Sequence, residues 1–178
     1  MVEAMVRLAT TADIPAIRAL LEASVRGLNR DLYSPAQLES SLRFVFGVDS
    51  QLIADRTYFV IEDEAGLVAA GGWSKRATLY GGDQWKGEDP LLDPARDAAR
   101  IRAFFVHPRA ARRGLGRQLF EVCRDAALAD GFRALELGAT LPGVVLYEAL
   151  GFIEVERVEH ELPDGVRFPL VKMRRAIP

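Results

Sequence analysis

Apolar and polar positions recur along this chain with two different periods, and the switches between them lay out its elements. Val6 to Leu8 reads as a short first strand. Thr10 or Thr11 offers an N-cap, with Asp13 and Pro15 in the first turn. Ile14, Ile17, Leu21, Val25 and Leu28 then follow at helical spacing. Ser34-Pro35-Ala36-Gln37 opens a second helix, expected to end near Gly47. Serine as N-cap, proline at N1 and glutamine at N3 make a capping box. Thr57 to Glu62 (TYFVIE) is rich in β-formers; Asp63 to Gly66 reads as a turn and Leu67 to Trp73 as the returning strand. Ile101 to Val106 is a further strand. Arg113 to about Ala129 reads as a helix, with Leu115, Leu119, Val122, Cys123 and Ala126 on one face and Asp130-Gly131 as its stop. Ala134 to Leu137 is a short strand, and Pro142 to Leu150 a short helix halted by Gly151. Phe152 to His160 and Val166 to Met173 form a last hairpin around Pro163-Asp164-Gly165.

The order is β-α-α-β-β-β-α-β-α-β-β, which predicts an α/β fold with a mixed central sheet flanked by helices. No repeat, low-complexity tract or flexible linker divides it, and residues 5–178 are read as a single domain. The chain's 178 residues suffice for a sizeable core. The connection 74–98, with Gly81-Gly82, Pro90 and Pro94, is long for such a domain, and loops of that length are often functional covers.

Composition narrows the chemistry. Hydrophobic residues make up 49% and charged residues 27%, the balance of a globular protein. The net charge of −2 gives no general reason to expect nucleic acid or an anionic membrane as partner. One cysteine, Cys123, excludes an intrachain disulfide and a Cys-rich zinc site, and no metal is expected. The first residues, MVEAMVRLATTADIP, lack the basic start and apolar core of a signal peptide, and no apolar run is long enough to span a bilayer. A cytoplasmic protein is the expectation.

The charge is unevenly spread. From Arg96 to Arg133 there are nine arginines against four acids. The densest part, VHPRAARRGLGRQLF from Val106 to Phe120, lies where a strand hands over to a helix. Backbone N–H groups of residues 111 to 116 lie at that helix N-terminus without intrahelical partners, and the macrodipole favours negative charge there. Gly114 and Gly116 admit a ligand close to the backbone, and Arg109, Arg112, Arg113 and Arg117 surround it with positive charge. A pyrophosphate fits these features; so does an ordinary connection with a solvated basic face. No G-x-x-x-x-G-K-[ST] occurs, and a G-x-G-x-x-G would need glycine where Leu119 stands.

A second block separates these readings. V-x-P-x-x-x-R-R-G-L-G, followed about thirty residues later by Leu146 to Phe152 (LYEALGF), resembles the GNAT superfamily of N-acetyltransferases. The first block is similar to that family's acetyl-CoA motif, Q/R-x-x-G-x-G/A, and the second to its Y-x-x-x-G-F motif. The element order agrees across nearly the whole chain. Two positions depart from the pattern. Ala111 stands where the family has glutamine or arginine, and Thr140 where it often carries asparagine. The resemblance implies a single GNAT-type domain that uses acetyl-CoA as co-substrate and acetylates a primary amine of a small molecule or peptide by direct attack in a ternary complex. It implies that Phe104, Phe105 and Val106 pair with the pantetheine arm like an added strand, between two strands that splay apart. A backbone N–H there would polarise the thioester carbonyl. It further implies that Ala111, Arg112, Arg113, Gly114, Leu115, Gly116 and Arg117 hold the pyrophosphate, that Thr140 lies near the pantetheine arm, and that the Tyr147 phenol protonates the departing sulfur.

The general base is open. Glu136 lies on the strand beside the expected thioester, and an exposed strand carboxylate reads equally well. His107 reads as a turn residue; His160 either shuttles a proton or lies on a solvated face. Arg26, Asn29, Asp31 and Tyr33, with Trp73, Tyr80, Asp83 and Trp85, fall where the acceptor side is expected, and aromatics near an acid suit an amine. Against this, Trp73 reads equally as core and the loop as a cover packed by its own side chains. Cys123 reads as core packing. Two other readings stand beside transfer: a non-catalytic acyl-CoA sensor or protein-partner module on the same fold, and a nucleotide- or nucleic-acid-binding domain, against which the net charge counts. An exposed edge strand in the last hairpin would permit a homodimer.

Overall fold

The computed structural model describes residues 4–178. Seven strands, β1 (Met5–Leu8), β2 (Tyr58–Asp63), β3 (Gly66–Ser74), β4 (Ala99–Val106), β5 (Ala134–Ala139), β6 (Ile153–Glu161) and β7 (Arg167–Ala176), form one sheet. Its order is β1-β2-β3-β4-β5-β7-β6. Every neighbouring pair is antiparallel except β4 and β5, which run parallel and pair only at Ala99↔Leu135 and Arg100↔Glu136. Beyond those two residues the strands part. The register of β4 against β3 shifts between Ala70 and Gly72, and opposite that shift Ala103 holds φ 54°. A left-handed non-glycine residue inside a strand is a bulge, which bends the strand and adds twist. The bend carries the second half of β4 away from β5.

Helices α1 (Ile14–Leu28), α2 (Pro35–Phe44) and α3 (Ser50–Ala54) cover one face; α4 (Leu115–Ala129) and α5 (Val144–Ala149) cover the other. On the first face Ile17, Leu21 and Val25 of α1 meet Val60, Ala70, Phe105 and Leu170 of the sheet. On the second, Phe120, Cys123 and Ala127 of α4 pack with Ile101, Leu135, Leu137 and Met173. The expected mixed sheet and element order are present. α3 was not anticipated: Asp49 caps it by accepting the Gln51 N–H, and five residues are too few to display a period. The Ser34 capping box is formed, with the Ser34 hydroxyl accepting the Gln37 N–H at 3.1 Å and the Gln37 side chain accepting the Ser34 N–H. The second helix ends at Phe44, short of Gly47. α4 starts at Leu115 and not at Arg113, because Arg112 (φ 62°) and Gly114 (φ 77°) are left-handed.

The 75–98 connection contains no helix or strand, yet it is firmly tied. Asp49 and Arg102, each almost wholly buried, pair at 2.9 Å. Arg102 also donates to the carbonyls of Gly81 and Thr78, and Lys86 reaches Asp49 at 2.6 Å. Arg76 pairs with Asp55 at 2.7 Å. β6 is one sheet edge, with Ile153 and Val155 exposed.

Candidate active site

The gap left by the parting of β4 and β5 is a cavity of about 650 Å³ lined by residues from both faces of the sheet. β5 shows how. Leu135, Leu137 and Ala139 face α4 and α5, whereas Gly138 faces Tyr80 on the side of α1 and α2. A Cβ at Gly138 would lie 2.5 Å from the Tyr80 ring, so glycine is what lets the loop close onto this strand.

At one mouth lies the N-terminus of α4. The Gln118 N–H closes the first turn on the Gly114 carbonyl, which leaves the N–H groups of Leu115, Gly116 and Arg117 without intrahelical partners. The two left-handed residues curl the chain in front of them, and a Cβ at Gly114 would meet nothing within 4 Å. Ala111, Arg112, Gly114, Leu115, Gly116 and Arg117 all line the cavity. Arg113, expected among them, does not, and is exposed. Arg109 is also elsewhere: it clasps Asp63 through two bonds of 2.7 and 3.0 Å, and the guanidinium holds the Asp63 carboxyl down at about 2. Gly116 has a second duty, since a Cβ there would come 3.0 Å from Leu146 of α5.

Along the open edge of β4, Phe104, Phe105 and Val106 line the cavity as expected. The His107 N–H pairs back to Val68 of β3, so by alternation the N–H groups of Val106 and Phe104 face the gap. The Val106 N–H is met by the Ser24 hydroxyl at 3.3 Å. Ser24 was not anticipated. Its signal was a hydroxyl seven residues after Ile17 and four before Leu28, inside the apolar stripe of α1.

Tyr147 projects from α5 against Phe104 and Phe152, with ring centroids 6.3 and 5.8 Å away. It lines the cavity, and burial pushes its phenol well above the ordinary range. Its hydroxyl takes no hydrogen bond among the described residues. Thr140 also lines the cavity, and its hydroxyl and carbonyl both accept the Gly143 N–H at the turn into α5.

Glu136 is not part of this cavity. It sits where β4 and β5 are still paired, and its two carboxylate oxygens are bound by Arg100 and Arg174. The expected base candidate is thus engaged by two guanidiniums at the closed end of the gap, outside the cavity lining. Other acceptor-side expectations separate. Asn29 and Tyr80 line the cavity. Arg26 pairs with Glu39 on the surface, and Asp83 accepts the Ser50 N–H. Tyr33 is a tie between segments, donating to the Pro169 carbonyl and accepting the Leu141 N–H; burial raises its phenol to about 12. Trp73 is core, packed on Phe132. His107 accepts the Arg109 N–H as the cap of a short turn. Among the described residues, the cavity lining holds no carboxylate and no imidazole.

Comparisons with known proteins match this architecture. A family model described as an acetyltransferase (GNAT) domain matches residues 54–154. No curated protein matches the chain. Among solved structures, the GCN5-related N-acetyltransferase from Rhodopseudomonas palustris superposes with a TM-score of 0.74, at 18% identity over 99% of this chain and 98% of its own. A phosphinothricin acetyltransferase from Sinorhizobium meliloti, in complex with acetyl-CoA, gives 0.64 at 22% identity, covering 98% and 88%. The ribosomal-protein-S18-alanine N-acetyltransferase from Escherichia coli gives 0.61 at 19%, covering 98% and 94%. The family model spans more than half of the chain, including the splayed strands, the α4 N-terminus and Tyr147, and the chain belongs to the GNAT acetyltransferase family.

Proposed function

We propose that the protein transfers the acetyl group of acetyl-CoA to a primary amine of a small molecule or peptide, by direct attack within a ternary complex. One observation carries the reading. A single cavity is lined by the α4 N-terminus, the open edge of β4 and Tyr147 on one face of the sheet and by Val25, Phe46 and Tyr80 on the other. Two substrates entering from opposite faces would meet between β4 and β5.

The chain's groups suit acetyl-CoA. The N–H groups of Leu115, Gly116 and Arg117, with the Arg112 and Arg117 side chains, would receive the pyrophosphate. Phe104 and Val106 would pair with the amides of the pantetheine arm, Ser24 giving up its bond to Val106. The Phe104 N–H would donate to the thioester oxygen and stabilise the charge that develops there. Tyr147 would protonate the sulfur as the C–S bond breaks, a role suited to a phenol that burial keeps protonated.

The test is release of free CoA thiol from acetyl-CoA in the presence of amino acids, polyamines, aminoglycosides, arylalkylamines and short peptides. Amine-dependent release is expected. Acetyl-CoA binding with no release by any amine would overturn transfer and leave an acyl-CoA sensor, a reading that the lack of a carboxylate or imidazole in the lining favours.

A further inference from the structure

The cavity lining lacks a carboxylate and an imidazole, yet attack on a thioester requires that the amine lose a proton. One polar side chain on the acceptor face of the sheet is backed by a titratable group. Tyr80 lines the cavity, and its hydroxyl contacts Nε2 of His160 on β6. The pair is built in. Trp85 lies edge-on to the His160 ring at 5.4 Å and stacks near Tyr80 at 6.5 Å. Gly138 leaves room for the Tyr80 ring, and a Cβ at Gly81 would come 2.3 Å from Trp85. The loop is held beneath by Arg102 on the Gly81 carbonyl at 2.6 Å.

We propose that Tyr80 and His160 form the proton-accepting pair on the amine side of the cavity, Tyr80 touching the amine and His160 acting through it. This rests on the acetyl-transfer reading. As the nitrogen lone pair forms the N–C bond, the surplus proton on nitrogen passes to the Tyr80 oxygen while the proton of Tyr80 passes to His160 Nε2. The C–S electron pair leaves with sulfur, which takes a proton from Tyr147. The imidazolium formed at His160 returns its proton to solvent, and Tyr147 is reprotonated from solvent. Tyr80 alone would be a poor acceptor, because a phenol becomes a cation when it gains a proton. Passing its own proton on to an imidazole removes that obstacle.

The imidazole works only when neutral, and its surroundings favour that form. From the loop it faces Tyr80 and Trp85; its register partner on β7 is Phe168, and none of these is charged at neutral pH. Glu159 and Glu161 flank it on β6 but project to the opposite face, Glu159 lying 3.6 Å from Arg167. Burial lowers the His160 pKa from its ordinary value. The sign follows: activity is present above that lowered value and lost as pH falls through it.

The test uses acetyl-CoA with 2-phenylethylamine, whose apolar body suits a lining of Val25, Leu28, Phe46 and Leu79. Wild type, saturated with the amine, is expected to show an acid limb in kcat, which reports the bound complex and not the free amine's ionisation, at a pH below the ordinary histidine value. His160→Gln can still accept from the Tyr80 hydroxyl but cannot titrate. It is expected to lose the acid limb and about a hundredfold in kcat, with melting temperature and acetyl-CoA Kd unchanged. Tyr80→Phe is expected to lose a similar factor, and the double variant little more, as for groups that act as one unit. A His160→Gln enzyme with wild-type kcat would overturn the proposal. So would a slowed one that keeps the acid limb, since that marks a merely structural role. If wild type releases no thiol with any amine of the screen, the transfer reading falls first and the pair's role with it.

Discussion

Tyr147 and Tyr80 approach one cavity from opposite faces of a sheet, and they were not equally legible. Tyr147 stands in LYEALGF, a short block that resembles the family's Y-x-x-x-G-F motif, so its placement followed from that resemblance. Replacing it by phenylalanine keeps the contacts with Phe104 and Phe152 and removes only the hydroxyl. Tyr147→Phe is expected to lower kcat by about a hundredfold and leave the acetyl-CoA Kd unchanged, as read by steady-state kinetics and calorimetry. Tyr80 sits in a loop without period, and its partner His160 is eighty residues away. Nothing local joins them; only the fold does. Glu136 shows how far position along a strand reaches. Position along a strand put it beside the gap, but the strand pairing that closes the gap there was invisible in sequence.

At the scale of elements, the joint between β4 and α4 is the proposed pyrophosphate site, and its geometry was legible far into the sequence because glycine and charge are local signals. The helix start was misplaced by two residues for the same local reason. Arg112 and Gly114 are left-handed, so Arg112 and Arg113 belong to the curl before the helix, and only Arg117 lies in its first turn. This fixes what a substitution would do. A side chain at Gly114 meets open space in front of three free N–H groups, at a φ that disfavours any Cβ. Gly114→Glu is therefore expected to cost about 1–2 kcal/mol in stability. It should raise the acetyl-CoA Kd at least about tenfold, measured by calorimetry. Binding at wild-type strength would remove the pyrophosphate assignment. The bulge at Ala103, which opens the gap, had no signal in sequence, since alanine carries no preference for φ 54°.

For the molecule as a whole, the parts that sequence left open are joined by long-range ion pairs. The mixed sheet and helix layers were legible because period and capping are local; the fastening of the 75–98 loop was not. Its one hint was Arg102, the single charge in the expected strand Ile101 to Val106. Asp49 neutralises that guanidinium in a buried setting, and burial lowers the Arg102 pKa. Asp49→Asn leaves the cation without its counter-charge and is expected to destabilise the fold by about 3–5 kcal/mol, seen as a lower urea midpoint. Cys123, meanwhile, lies wholly buried between α4 and the sheet, where burial pushes its thiol above the ordinary range. A thiol reagent in solution then has two separate sources to read. With the fold closed, all signal comes from released CoA; signal from the protein appears only when the domain opens. Timed labelling of Cys123 is expected to slow as acetyl-CoA is added, because a ligand of the closed state lowers the open population. The lone thiol thus serves as a built-in gauge of opening, readable without any introduced probe.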